Sequence, residues 1–134
     1  MSSINPTPEQ FRALFVDVPA DVPVVMLNLL RFRARAAYDD GDRGLTGEQA
    51  YARYVREAMP HLEAAGAKVL FTGSARTTVI GPVDEAWDEV LLVEYPSAAK
   101  FAAMVTQPAY QALAVHRTAA VADSRLVATV AETP

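Results

Sequence analysis

From Val24 to Phe32 the apolar residues run almost without a break, with Asn28 and Arg31 as the polar members. Such a run reads as a strand apolar on both faces, so both faces of its sheet need cover. From Tyr51 the pattern changes: Tyr51, Tyr54, Val55, Ala58, Leu62 and Ala65 recur at helical intervals and form one apolar stripe. Local signals bound these elements. Thr7-Pro8-Glu9-Gln10 opens a first helix, with Thr7 as cap, Pro8 at the first helical position and Gln10 reaching back. That helix is expected to end near Asp17, before Pro19 and Pro23. Thr46-Gly47-Glu48-Gln49 repeats the capping box for the Tyr51 helix, in which Pro60 predicts a kink and Gly66 a stop. Ala67 to Ile80 reads as a long strand bent near Gly73, and Trp87 to Tyr95 as a third strand. Ser97 then caps a short helix to Val105, Pro108 begins another running to about Ala122, and Arg125 to Val130 is the last strand.

The order is a helix followed by βαββαβ with the second α split in two. Its expected fold is α+β and ferredoxin-like: a four-stranded antiparallel sheet with the core helices on one face. No helix is left for the other face, and its strands are also apolar. A second copy of the chain is the expected cover, giving a homodimer built as a dimeric α+β barrel with a cavity. At 134 residues the chain suits one domain, with an N-terminal helix and connector over 1–22 and a core over 23–130.

Composition narrows the partners. With no cysteine, disulfides, thiolate nucleophiles and structural zinc sites are excluded. The net charge of −4 comes without a basic block, which argues against nucleic acid. The apolar run Val22 to Leu30 is interrupted by Pro23 and falls short of the roughly 20 residues a membrane helix needs. MSSINPTPEQF has neither the basic start nor the apolar stretch of a signal peptide, so a cytoplasmic protein is expected. His61 and His116 each lack a second His or Cys at ligand spacing, so neither a metal nor another cofactor is expected.

The blocks VVMLNLLRF, AYARYVREAMPHLEAAG, WDEVLLVEYPS and QPAYQALAVHR with ADSRL, in that order, resemble the longer members of the uncharacterised family known as domain of unknown function 1330. The resemblance spans Val24 to Thr129 and implies the ferredoxin-like dimeric barrel. Its superfamily also holds cofactor-independent monooxygenases, muconolactone isomerases, chlorite-dismutase-like haem proteins and stress-response proteins. The matched positions are Tyr54, Gly66, Gly73, Ser97, Tyr110 and Arg117. Shorter members often carry Glu-Gly after the second strand, where this chain has Ile80-Gly81, so no acid–base role transfers there.

Candidate chemistry lies in few residues. Arg117 shares a helical stripe with Tyr110, Leu113 and Val121, and its planar fork of donors suits a carboxylate or enolate; its expected partners are Asp123, Glu94, a terminal carbonyl or a bound anion. Strand parity puts Glu94 with Asp88, Val90 and Leu92 on the dimer side if Tyr95, Val93 and Leu91 pack under the helices. Asn28 shares a face with Met26, Leu30 and Phe32, and parity leaves open which face that is. The candidate ligand-binding set is therefore Asn28, Tyr54, Glu94, Tyr110 and Arg117, with His116 and Glu94 as candidate catalytic groups. Three functions are consistent with it: a homodimeric binder of a small anionic or aromatic molecule, a cofactor-independent oxygenase or isomerase acting on an enolisable aromatic or lactone, and an interaction protein with a filled barrel.

Overall fold

The computed structural model describes residues 2–132. The elements run α1 (Pro8–Asp17), β1 (Val24–Phe32), α2 (Gly47–Ala64), β2 (Lys68–Ser74), β3 (Glu89–Tyr95), α3 (Ala98–Val105), α4 (Pro108–Leu113), α5 (Val115–Ala120) and β4 (Val121–Thr129). Both capping boxes form: Thr7 accepts from the Gln10 amide and Thr46 from the Gln49 amide, with each glutamine returning a bond to its cap. Ser97 caps α3 through the Lys100 amide at 3.2 Å. Gly66 ends α2 at a positive φ of 77°, which a side chain disfavours.

The sheet order is β2-β3-β1-β4, antiparallel throughout, so β1 is an interior strand. This is the ferredoxin-like α+β arrangement with an added N-terminal helix. Residues directly opposite one another share a face. One face therefore holds Val24, Met26, Asn28 and Leu30 of β1 with Tyr95, Val93, Leu91 and Glu89 of β3. It is the covered face, where Val24, Met26, Leu30, Val93 and Tyr95 are buried in the core with α2, α4 and α5. The start of α2 is docked by backbone hydrogen bonds as well as by packing: the Gly47 amide donates to the Arg33 carbonyl at 3.0 Å, and the Arg33 amide to the Ala120 carbonyl at 2.8 Å. A methyl group on Gly47 would lie 2.6 Å from the Ala120 carbonyl oxygen.

The opposite face carries Val25, Leu27 and Leu29 of β1 against Glu94, Leu92 and Val90 of β3, flanked by Phe71 and Val127. Among the described residues nothing closes over its outer strands, and Phe71 and Val127 stay about half exposed, at 53% and 48%.

Some elements differ from the sequence pattern. β2 stops at Ser74 instead of Ile80 because its only partner, β3, begins at Glu89 opposite Ser74; past that point there is no ladder to join. Val79 and Ile80 instead project from the 75–88 loop, almost fully exposed. The expected helix from Pro108 to about Ala122 is two, divided at Ala114. β4 begins at Val121 instead of Arg125, since a register shift after Arg31 lets Phe32 pair with Val121. Among the described residues no helix is long and apolar enough to cross a membrane.

Candidate functional site

Aromatic side chains on α2 and α4 form a continuous ladder over the covered face. Phe32 meets Tyr51 at a ring distance of 5.3 Å, Tyr51 meets Tyr54 at 5.4 Å, Tyr54 meets Tyr110 at 6.3 Å, and His61 closes the row edge-on to Tyr110 at 6.1 Å. The hydroxyls of Tyr54 and Tyr110 share a hydrogen bond. Burial pushes the Tyr51 and Tyr54 phenols upward, against the pull of the nearby Arg117 charge, so both stay neutral at physiological pH. Glu89, at the covered-face end of β3, is also pushed up, first by burial and then by the charge of Glu48.

Arg117 belongs to this side, and the sequence-expected acidic partner is not there. Its guanidinium donates from Nη1 to the Ile4 carbonyl at 2.6 Å and from Nη2 to Ser124 Oγ at 3.4 Å. Among the described residues no carboxylate pairs with it. Asp123 is turned elsewhere, onto Arg125 Nη1 at 2.8 Å and the Ser3 amide at 2.8 Å, because it sits opposite Arg31 on the other face of the sheet. Ser124 completes the tie by donating to the Ser3 carbonyl at 2.6 Å. The N-terminal segment is thus strapped to β4 and α5, with Ile4 packed on the core.

The Asn28 and Glu94 pair expected to share a pocket is separated by the sheet. Asn28 lies opposite Leu91 and Leu126 on the covered face, and its side-chain amide donates to the Met26 carbonyl at 3.3 Å. Glu94 lies opposite Val25 and Lys68 on the open face. Their register is the reason: position 28 pairs with 91, and 94 is an odd number of residues away. Asn28, Tyr54, Tyr110 and Arg117 remain on one side of the molecule, and Glu94 stands apart from them.

His116, next to Arg117, faces another way. It is 6% exposed and its Nδ1 lies 2.7 Å from the Tyr38 hydroxyl, while Nε2 is 3.5 Å from Glu57 Oε2. Glu57 is itself held by Arg53 Nε at 3.0 Å. Burial holds the imidazole below its ordinary value, against the opposing charge of Glu57. A neutral ring with its proton on Nε2 satisfies both contacts, with the phenol donating to Nδ1. Arg43 lies over the Tyr38 ring, 4.1 Å from its centroid, and pairs with Asp40 at 2.8 Å. Tyr38, Arg43, Asp40, Asn5, Gln111 and Thr118 line a cleft of about 430 Å³. The sequence named His116 but missed Tyr38 and Glu57. Tyr38 lies outside any periodic segment, and Glu57 looks like half of an ordinary helical ion pair with Arg53. Ile4 was missed as well, since no local pattern joins positions 113 residues apart, and Ser124 because it sits across the helix-to-strand junction from Arg117.

Among the described residues no group of three or more His, Cys, Asp or Glu is placed to hold a metal ion.

The family model described as "Domain of unknown function (DUF1330)" matches residues 37–130. The chain belongs to that family. A comparison with curated proteins finds no match. Among solved structures, the chain is similar to RPA0582, a protein of unknown function from Rhodopseudomonas palustris, at 42% identity over 100% of both chains and a TM-score of 0.91. It shares its fold with a dimeric ferredoxin-like protein of unknown function from Bacteroides fragilis, at 10% identity over 84% of this chain and 99% of that one, TM-score 0.51. It also shares it with the hydroxynitrile lyase from Passiflora edulis, at 9% identity over 85% and 97%, TM-score 0.59.

Proposed function

We propose that this member of the DUF1330 family is a homodimeric α+β barrel protein that binds a small anionic or aromatic molecule beside Arg117. The observation that carries the ligand reading is the state of that guanidinium: half buried, next to buried neutral phenols, and held, among the described residues, by a carbonyl and a hydroxyl alone. A cation in such surroundings is poorly compensated. An incoming carboxylate offers two charged acceptors to the fork where Ile4 offers one neutral oxygen, so exchange of the strap for an anion is favourable. The aromatic ladder from Phe32 to Tyr110 lies in the core on the same side of the sheet as that charge and gives it an apolar surround. Asn28, Tyr54 and Tyr110 are the ligand-facing candidates on that side.

Support for the dimer comes from the open sheet face. Val25, Leu27, Leu29, Val90 and Leu92 form an apolar surface that no helix among the described residues covers. Stable interfaces bury about 800 Å² per partner, a size one sheet face can supply. The fold neighbour from Bacteroides fragilis is dimeric. In a barrel of two such sheets Glu94 faces the interior and is a polar contact at the seam.

Benzoate and phenylacetate titrated against thermal unfolding test the binding reading. A ligand at 100 times its Kd stabilises the folded state by about 2.7 kcal/mol. The midpoint should climb with either anion in the wild type and stay flat in Arg117→Met. Equal shifts in both proteins, or none in either, would reject the site.

A further inference from the structure

We infer that Tyr38, His116 and Glu57 form a proton relay serving the cleft beside Tyr38, and that this cleft takes a neutral enolisable carbonyl compound, a ketone or a lactone. The relay and the cleft stand apart from Arg117, so this inference does not depend on the anion reading.

Three contacts define the relay. The Tyr38 hydroxyl meets Nδ1 at 2.7 Å, the far nitrogen of the ring meets Glu57 at 3.5 Å, and Arg43 covers the phenol ring at 4.1 Å. A phenol beside an imidazole acceptor has somewhere to send its proton, and Arg43 holds the ring in place by stacking over it. The carboxylate behind the ring stabilises the imidazolium and fixes the tautomer, the task of the third member of any hydroxyl–histidine–carboxylate arrangement. A purely structural tyrosine would need only one acceptor. This one is aligned with a buried base and a carboxylate behind that base, and its side chain lines the cleft.

The lining gives the substrate class. Asn5, Gln111 and Thr118 offer amide and hydroxyl groups, while Asp39 and Asp40 outnumber Arg43. The mouth is net negative and repels a carboxylate. It suits a neutral molecule with a carbonyl to hydrogen-bond.

The step balances without a co-reactant. The phenolic proton of Tyr38 passes to Nδ1 as the Tyr38 oxygen takes a proton from the carbon next to the substrate carbonyl. The C–H electron pair enters the enolate, whose oxygen accepts from the cleft's donors. Return of the proton to the same carbon exchanges it with solvent, and return to another carbon of a conjugated enolate isomerises the substrate. Tyr38 is the catalytic residue, and His116 and Glu57 are positioning residues that act through it.

The base form requires a neutral imidazole. His116 is faced by Glu57 and Arg53 from α2 and by Tyr38 and Arg43 from the 33–46 loop. Burial and the two arginines lower it while Glu57 raises it. The rate should therefore rise with pH along a limb lying below the usual imidazole value of about 6.5.

The experiment follows 2-tetralone, a neutral aromatic ketone, in D2O by proton NMR with the full chain. Wild type should wash deuterium into the α positions at least about tenfold faster than buffer. Tyr38→Phe should lose about 100-fold or more of that enhancement, the usual span for a positioned acid–base group. His116→Gln should lower it and remove the acid limb. Nitrogen NMR of the wild-type ring should show Nδ1 unprotonated and Nε2 protonated, a readout that stands even if a variant fails to fold. A wild-type rate equal to buffer, Tyr38→Phe keeping more than about a third of the enhancement, or a proton on Nδ1 would each overturn the inference.

Discussion

Substituting Met for Arg117 separates two kinds of half-buried arginine. Had the guanidinium been paired with a buried carboxylate, removing it would orphan that charge and cost about 3–5 kcal/mol. Its partners are instead the Ile4 carbonyl at 2.6 Å and Ser124 Oγ at 3.4 Å. The first is short and charge-assisted, of a kind worth about 1.5–3 kcal/mol where fully buried. The second is long and contributes little. After substitution the Ile4 carbonyl lies near the surface, where water replaces the lost donor, and Ser124 keeps its bond to the Ser3 carbonyl at 2.6 Å. Met also retains the apolar stem that packs beneath the charge. These considerations put the loss at about 1–2 kcal/mol, a fall in melting temperature of roughly 3–8 °C for a chain of this size. Urea unfolding followed by circular dichroism reads the total. Hydrogen exchange at residues 3–5 reads its location, which should be the strap alone. A loss above about 3 kcal/mol would mean that a carboxylate does depend on Arg117, and no loss together with unchanged exchange would mean that the strap is held by something else.

Two further perturbations test other parts of the structure. The imidazole of His116 is lowered in the folded state, so it favours folding when neutral; stability should decline as pH falls from about 7 toward 5, and His116→Gln should flatten that decline in denaturant titrations at several pH values. Gly47→Ala places a methyl group 2.6 Å from the Ala120 carbonyl oxygen and 2.7 Å from the Arg33 nitrogen, both backbone atoms that cannot rotate away; unfolding in urea should show a loss of about 2 kcal/mol or more, and a neutral result would mean that the start of α2 is not docked as described.

Most of the architecture was legible because its signals are local. Thr7, Thr46 and Ser97 cap helices wherever they precede a helical stripe, and the double-apolar run from Val24 to Phe32 marks an interior strand whatever its neighbours are. The site was less legible because its contacts are not local. Parity sorted Glu94 from Leu91 and Asn28 from Leu27, but only the register of β1 on β3 shows that Asn28 falls under the helices while Glu94 faces outward. Arg117 was visible as a cation on an apolar stripe, yet its partner is a backbone carbonyl near the chain start, which has no side-chain signature. Val79 and Ile80 read as strand by propensity and lie in a loop, since pairing partners and not propensity decide where an edge strand ends.

The barrel requires that the open sheet face be covered by a second copy of the chain. Light scattering on the purified protein at micromolar concentration measures this directly. A mass of twice 14.5 kDa is the expected result, and a monomer of 14.5 kDa would contradict the barrel and the dimer together.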